Sequence, residues 1–562
     1  MSADRLLDGF NLLGDEPETV QQFRKLVVGL AVSGKLTAKC EASSDASTLM
    51  KLIEEKKREL VQKGQLRKQS PARKVTSDDL PKVFLSPDNF VRLGSIARIE
   101  KGLTGIMKAE PGPYPLVVTA EERSNCNHFD FEGAAAIVPL VSSAGHGKAS
   151  LQRLHYQEGK FALGSILAAI FPHAPELISP RFLFEYLTAF KDELLVSQMI
   201  GTANVSLSVG KVSDVPVPLV PPSIQQKVDD LMGLCDRLEV ARADREKMRD
   251  RLAAASLARL NAPDSATFQD DARFALDILP ALTKRPDQIK SLRYTILNLA
   301  IRGKLVPQDP NDEVASELLM DISKTRKKLY LEKKIPKPKP LPAVKGIELP
   351  FAVPSSWAWS MLGDLCFQVS DGPHFSPQYV APEQGIPFLS TRNVRLNGFD
   401  LSTIKYVSRA DHEEFCKRIR PEKGDIIYTK GGTTGIAKVN DLDFEFSVWV
   451  HLAVLRIEKK RLLPRYIEMA LNSPHCYEQS QRYTQGISNF DLGLTRMIKI
   501  TIPIPPLAEQ HRIVAKVDEL MVLCDRLEAS LDAASTTRRR LLDALLAEAL
   551  ALVEPREMEA AE

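Results

Sequence analysis

The thirteen residues Lys227–Glu239 (KVDDLMGLCDRLE) recur as Lys516–Glu528 (KVDELMVLCDRLE), and the copies differ only at Asp230/Glu519 and Gly233/Val522. A repeat this close constrains the fold more than any local signal, because a duplicated chain folds as duplicated units. Val228, Leu231, Cys235 and Leu238 fall at steps of three and four, as do Val517, Leu520, Cys524 and Leu527. That spacing predicts an amphipathic helix in each copy, with Asp, Arg and Glu on the other faces. The second seam continues through Leu531, Ala534, Leu541 and Leu545; the first is interrupted by Arg242 and Arg245 before Leu252. The helices are expected from Ser223 to Asn261 and from Ala508 to Val553, each roughly 60 Å long at about 1.5 Å per residue. Each follows a Pro-Pro pair, Pro221-Pro222 or Pro505-Pro506. The first entry is about five residues shorter, which predicts the loss of one helical turn.

The duplication is wider than these helices. With Gly34-Lys35-Leu36 placed on Gly303-Lys304-Leu305, one ungapped register runs from Asp8/Asp277 and Phe10/Leu279 to Leu93-Gly94/Leu362-Gly363. Pro17 and Pro286 start a helix in each copy, where the missing N–H costs nothing. Val20, Phe23, Val27 and Leu30, matched by Ile289, Leu292, Ile296 and Leu299, give it an apolar face. Gly34 and Gly303 end it, because glycine reaches the left-handed conformation cheaply. A second helix follows in each copy, Ala46–Leu60 and Val314–Leu331, and then a basic, proline-bearing connector, Arg67–Lys74 and Lys333–Pro342. The second connector is expected to be an extended spacer.

Beyond Leu93 and Leu362 the copies diverge into glycine- and proline-punctuated β-like runs: Leu116–Thr119, Ala135–Val141 and Ile166–Phe171, then Pro387–Ser390, Asp425–Thr429 and Val448–Leu455. Short strings still correspond: Gly164–Leu167 with Gly424–Ile427, Pro180–Leu183 with Pro464–Ile467, Gly201–Asn204 with Gly486–Asn489, and Pro216–Pro218 with Pro503–Pro505. The expected fold is α+β: two α/β domains of common ancestry on two near-identical helical frames.

Composition excludes some classes. A hydrophobic fraction of 44% and a charged fraction of 26% are those of a globular protein. No run of eighteen apolar residues and no secretory leader is present, so no membrane span is expected. The seven cysteines form no CxxC, which suits a reducing compartment. A net charge of +3 neither demands nor excludes a nucleic-acid partner.

A search for catalysis finds no constellation. Gly145–Ala149 has the Gly-Lys pair of a phosphate loop, but Ser142 stands where a glycine is needed and Ala149 where a Ser/Thr is needed. Gly431–Gly435 is not GxGxxG, no HExxH occurs, and the nine histidines show no metal-ligand spacing. Catalytic and metal-binding residues are therefore expected to be absent. Binding candidates are richer. Thr391-Arg392-Asn393 follows one β-like run, Lys430 with Gly431–Gly435 follows another, and Gln485–Phe490 and Arg496 lie near the domain's end. Arg, Lys, Asn and Thr contact base edges and phosphates. Arg392, Asn393, Lys430, Thr433 and Thr434 are the leading DNA-contact candidates, with Lys101, Thr104, Arg123 and Lys148 as a second set; Asn204 belongs beside the second set.

Residues 506–528, from Pro506-Leu507-Ala508-Glu509-Gln510 through Cys524-Asp525-Arg526-Leu527-Glu528, together with Leu299–Val306 and its twin Leu30–Thr37, resemble the specificity (S) subunits of type I restriction-modification systems. The layout of two variable domains and two long helices matches across nearly the whole chain. The departure is the shortened Pro221–Gln226 entry. The resemblance implies two target recognition domains, each binding half of a bipartite, asymmetric site on double-stranded DNA, separated by two long antiparallel coiled-coil helices with pseudo-twofold symmetry. It implies docking of two modification subunits, which carry the S-adenosylmethionine chemistry, and of restriction subunits, which hydrolyse ATP. The chain itself is then expected to be cytoplasmic, non-catalytic and without a cofactor. The expected boundaries are a helical region at 1–84, a recognition domain at 85–218, a spacer helix at 219–262, a repeated helical region and linker at 263–350, a second recognition domain at 351–505 and a second spacer helix at 506–562. A protein-only coiled-coil adaptor and a self-sufficient DNA enzyme are the alternatives.

Overall fold

The computed structural model describes residues 17–36, 46–64, 66, 71–84, 86–144, 147–202, 205–262, 266–279, 283–344, 349–486 and 490–551. The pairings of Asp8 and Phe10, residues 67–70 of the first connector, Gly145-His146, Asn204 and its neighbour 203, residues 487–489 and the end of the second long helix beyond 551 lie outside the described residues. Two compact units result: residues up to 246 with those from 534, and residues 247–533.

In the first unit, α1 (Pro17–Val32) starts at its proline. Gly34, at φ +70°, closes it, and Lys35 N–H donates to Leu30 O at 2.8 Å. This is the 6→1 bond of a glycine-terminated helix, and a β-carbon at Gly34 would strain it. α2 (Ala46–Gln62) buries Leu49 and Ile53, and its Lys57 Nζ donates to Ser95 O at 3.2 Å. That turn needs Gly94, where a Cβ would stand 1.9 Å from Ser213 Oγ.

β1 (Phe90–Arg92) leads into the expected first recognition domain, formed by β2 (Ala97–Lys101), β3 (Tyr114–Val117), β4 (Ser124–Cys126), β5 (Phe131–Glu132), β6 (Ala135–Pro139), β7 (His155–Gln157), β8 (Lys160–Leu163) and β9 (Leu167–Pro172). The strands make two four-stranded sheets, β2-β9-β6-β7 and β4-β3-β8-β5, with β3 and β8 parallel. α3 (Pro180–Ala189) starts on the Ser179 cap, whose side chain accepts from the N–H groups of Arg181 and Phe182. Its Tyr186 hydroxyl donates to Pro216 O on β10 (Pro216–Pro218), which pairs with β1. α4 (Pro222–Asn261) follows. One core joins Val27 and Val28 of α1, Phe182 and Tyr186 of α3 and Val228 of α4. Truncating a buried aromatic such as Phe182 to alanine costs about 3–5 kcal/mol.

The second unit repeats the scheme. After α5 (Phe268–Asp277), α6 (Pro286–Ile301) ends at Gly303, φ +65°, with Lys304 N–H on Leu299 O at 3.0 Å. α7 (Ala315–Leu331) carries Arg326 where α2 has Lys57, and Arg326 donates to Gly363 O at 2.7 Å. Residues 336–343 of the connector carry neither helix nor strand.

β11 (Ala358–Met361), β12 (Cys366–Asp371), β13 (Ile386–Leu389), β14 (Val394–Arg395), β15 (Gly398–Phe399), β16 (Lys405–Val407), α8 (Arg409–Cys416), β17 (Ile426–Thr429), β18 (Ala437–Val439), β19 (Ser447–Val448) and β20 (Leu452–Ile457) form the second recognition domain. Its main sheet, β12-β20-β17-β18, has the same antiparallel order as β2-β9-β6-β7. α9 (Pro464–Leu471), α10 (Pro474–Tyr483) and β21 (Thr501–Ile504) then lead into α11 (Leu507–Ala551).

Ladder register corrects two of the sequence correspondences. Gly164–Leu167 leads into β9, the strand between β2 and β6, whereas Gly424–Ile427 leads into β17, which holds the place of β6 and not of β9. Arg92 opposes Pro216 and Met361 opposes Thr501, so Pro216 matches Thr501 and not Pro503. Short Gly-apolar and Pro-X-Pro strings suit many strand ends, and only pairing fixes their place. The helix seam also differs: of the expected Val228, Leu231, Cys235 and Leu238, Val228 and Cys235 are buried and Leu231 is half-buried, but Leu238 is 42% exposed, and Met232 is buried instead.

Candidate nucleic-acid interface

Three loops meet at one end of each recognition domain. In the second unit they follow β12, follow β17, and lead from the paired Gln485 and Asp491, the base of a hairpin. Lys430 ties them together. It is 4% exposed, and its Nζ lies 3.3 Å from Asp371 Oδ2 at the end of β12 and 3.1 Å from Asp491 Oδ1 in the hairpin. Its carbonyl accepts from Leu492 N at 2.7 Å, and Gly432 N–H donates to Phe490 O at 3.0 Å. Gly431 leaves no room for a Cβ, which would stand 2.1 Å from His451 Nδ1. Burial and the Lys430 charge hold the His451 imidazole below its usual pKa, so it stays neutral beside the lysine.

The residues singled out in the sequence separate into two groups here. Arg392 and Thr433 are exposed, and neither side chain has a partner among the described residues. Asn393 is 1% exposed; its Oδ1 accepts from Ser390 N and its Nδ2 donates to Asp400 O, so it braces the turn that presents Arg392. Thr434 is buried, its hydroxyl oxygen accepting from Gln481 Nε2 at 3.1 Å. Lys430 is the buried hub just described. Arg496 donates to Leu492 O and Asp491 O, closing the hairpin's base. Sequence reading passed over His374 and Asp371. Asp371 accepts from Arg418 at 2.6 Å and lies 3.3 Å from His374 Nε2 on the exposed loop after β12, beside the exposed Phe375. Phe490, inside the expected Gln485–Phe490 segment, is 53% exposed.

The first unit builds the same junction with other chemistry. Leu140 stands where Lys430 does, accepting from Leu207 N at 2.8 Å, and Ile200 and Ser206 bridge as Gln485 and Asp491 do. Ser142 N–H donates to Val205 O at 2.9 Å. Lys101, the last residue of β2, and Lys148, on the loop after β6, are exposed. The loop after β2 also exposes Leu103 and Met107, the latter at 98%. Thr104 is buried and donates to Asp130 Oδ2 at 2.8 Å. Arg123 lies apart from this end, against β7, donating to Gln157 Oε1 and Tyr156 O.

His412, Glu413 and Glu445 bring ligand atoms within 4.8 Å of one another. Arg420 pairs with both carboxylates, at 2.6 and 3.1 Å, and Arg409 pairs with Glu445 at 3.1 Å. The positive charge that a cation would supply is already present. No helix is long and apolar enough to cross a membrane, among the described residues.

Residues 354–533 match the family model described as "Type I restriction modification DNA specificity domain". The second recognition domain and the start of α11 are therefore of the DNA-specificity class. The whole chain is similar to the type I restriction enzyme EcoEI specificity subunit of Escherichia coli, 26% identical over 567 residues, covering 94% of each chain. It is also similar to the EcoAI specificity subunit of Escherichia coli, 27% identical over 563 residues, covering 94% of this chain and 93% of that one. Residues 354–533 thus carry the type I specificity domain, and the chain as a whole is similar along 94% of its length to type I restriction enzyme specificity subunits. Solved neighbours include a chain from a study of type I complex assembly, with a TM-score of 0.44 at 16% identity, covering 82% of this chain and 97% of that one. Another is the HsdS subunit from Thermoanaerobacter tengcongensis, with a TM-score of 0.38 at 17% identity, covering 82% of this chain and 96% of that one.

Proposed function

We propose that this chain is the non-catalytic, DNA-reading component of a type I restriction-modification complex. Each recognition domain reads one half of a bipartite, asymmetric target on double-stranded DNA with its three-loop end. Arg392 and Thr433 act for the second domain, and Lys101 and Lys148 for the first. Lys430, Thr434 and Thr104 hold those loops in shape, and Asn393 braces the turn after β13 that carries Arg392. The repeated frames dock two modification subunits, and restriction subunits join through them. S-adenosylmethionine and ATP bind to those partners. The long helices set the distance between the half-sites.

One observation carries this reading: the same junction is built twice with unlike chemistry, ionic at Lys430–Asp371 and apolar at Leu140. A rigid scaffold with variable loop ends is how one fold reads different sequences. Two near-identical frames present one surface to two copies of one partner.

The test is a gel shift of the chain with its modification subunit, with and without the methylated target of the same strain. A sequence-specific shift is expected. A complex that forms but ignores DNA supports the adaptor alternative, and methylation or cleavage by the purified chain alone would make it an enzyme.

A further inference from the structure

Gln225 and Gln510 are one anchor in two copies. Gln225 is 2% exposed, donates Nε2–H to Val220 O at 2.6 Å and accepts from the N–H of Ser179, the residue before Pro180, at 2.7 Å. Gln510 is fully buried, donates to Pro505 O at 3.0 Å and accepts from the N–H of Leu463, the residue before Pro464, at 2.9 Å. Each glutamine locks the start of its long helix to its own recognition domain.

Further along, the frames grip the same helices. Arg24 of α1 reaches Asp236, Glu239 and the Met232 sulfur, and Arg293 of α6 reaches Asp525, Glu528 and the Met521 sulfur. Eleven residues separate Gln225 from Asp236, but fifteen separate Gln510 from Asp525. Both stretches are helical throughout. Four residues of helix amount to about 6 Å of rise and a net rotation of about 40°. The clamp of α6 on its long helix thus lies one turn farther from the glutamine anchor than that of α1 does, although α2 and α7 meet the same turn of their domains through the equivalent Lys57 and Arg326.

The surroundings agree. Lys25 of α1 meets Glu193 at 3.0 Å and the Phe190 ring at 5.1 Å, both in the recognition domain. α6 has Tyr294 at that place and meets its domain through Arg302, 4.1 Å over the Phe351 ring. The added turn of α11 is firmly held: Ile513 is fully buried, and Arg512 lies 2.6 Å from Asp312.

We infer that the turn missing from α4 makes the two docked modification subunits act at different offsets from the bases their neighbouring domains read. This rests on the docking and on the helices running along the duplex, as proposed above. A partner fixed to the frame inherits the 6 Å displacement, which is about two base pairs at 3.4 Å per step. One chain then sets two reaches with one partner.

The test uses the full chain with its modification subunits. Missing-base interference locates the bases contacted in each half-site, and sequencing of the methylated product locates the modified base. The interval between them should differ by about two base pairs between the halves; equal intervals overturn the inference. A variant carrying a second copy of the His511–Val514 sequence between Gln225 and Gln226 should move the first interval by about two base pairs and leave the second unchanged. A variant that binds its target with both intervals unmoved also overturns it, and should the insertion not fold, the native intervals decide. A complex that binds no DNA overturns the reading role, and this inference with it.

Discussion

Lys430 and Asp371 form an ion pair across the second recognition domain, Nζ to Oδ2 at 3.3 Å, with side chains only 5% and 3% exposed. Removing one member of such a pair leaves a buried charge uncompensated. Lys430→Met should destabilise the second unit by roughly 2–3 kcal/mol, below the usual cost because Arg418 still neutralises Asp371. Calorimetry of the variant checks the size. Because Lys430 is covered, the salt dependence of DNA binding by the assembled complex should keep its slope while the affinity falls.

Arg392 predicts the opposite pattern. It is exposed, without a partner among the described residues, on a turn that Asn393 braces. Arg392→Ala should leave stability within about 0.5 kcal/mol. If it meets a phosphate, the slope of log affinity against log salt should drop by about one; if it meets a guanine edge, specificity at one base should relax. Binding titrations at several salt concentrations distinguish the two, and an unchanged isotherm removes Arg392 from the interface.

Arg24 and Arg293 should behave alike. Arg24 stands 2.5 Å from Asp236, and Arg293 2.7 Å from Asp525, each with a second carboxylate within 3.2 Å. Both clamps are partly solvated, so Arg24→Ala and Arg293→Ala should each cost only about 1 kcal/mol. Their larger effect should be on capture of the modification subunit, measured by co-purification, because each clamp fixes the frame to its long helix.

Two buried histidines, His155 and His173, and the half-buried His475 predict an acid limit. Burial lowers the pKa of His155 to about 4, helped by Arg123 and Arg153; burial does the same for His173, and for His475 against the pull of its bond to Thr501. An unfolded histidine titrates near 6.5. Above that pH both states hold the ring neutral and stability is complete. Between about 6.5 and 4 the unfolded chain takes up protons that the folded chain refuses, so stability falls, by roughly 2–3 kcal/mol per histidine at the lower end. Calorimetric scans should show melting temperatures dropping across this window; a flat profile contradicts it.

The frame was legible in the sequence because helix chemistry is local. The start at Pro17, the stop at Gly34 and the seam at Val228 and Cys235 depend on near neighbours. Even the lost turn before Lys227 showed, as a shorter Pro-Pro entry, and the two glutamine anchors set it at four residues. The reading end was only half legible. Arg, Lys, Asn and Thr near glycines mark loops, but whether such a side chain faces solvent is set by partners far along the chain. Lys430 is covered by Asp371 and Asp491, and Thr434 by Gln481. The β-strand correspondences failed for the same reason, since Pro216 finds its place from Arg92 and not from its own neighbours.

The central claim is that stiff helices hold two readers at a fixed separation along one duplex. Target selection from random DNA, performed by the complex with its modification subunits, tests it most directly when the native chain is compared with one carrying four extra residues in both α4 and α11, about 6 Å of added helix. The account predicts a bipartite target whose half-sites are unchanged and whose spacer grows by one or two base pairs, since each step is about 3.4 Å. A target that is a single contiguous block, or a spacer that stays the same in the lengthened chain, would contradict it.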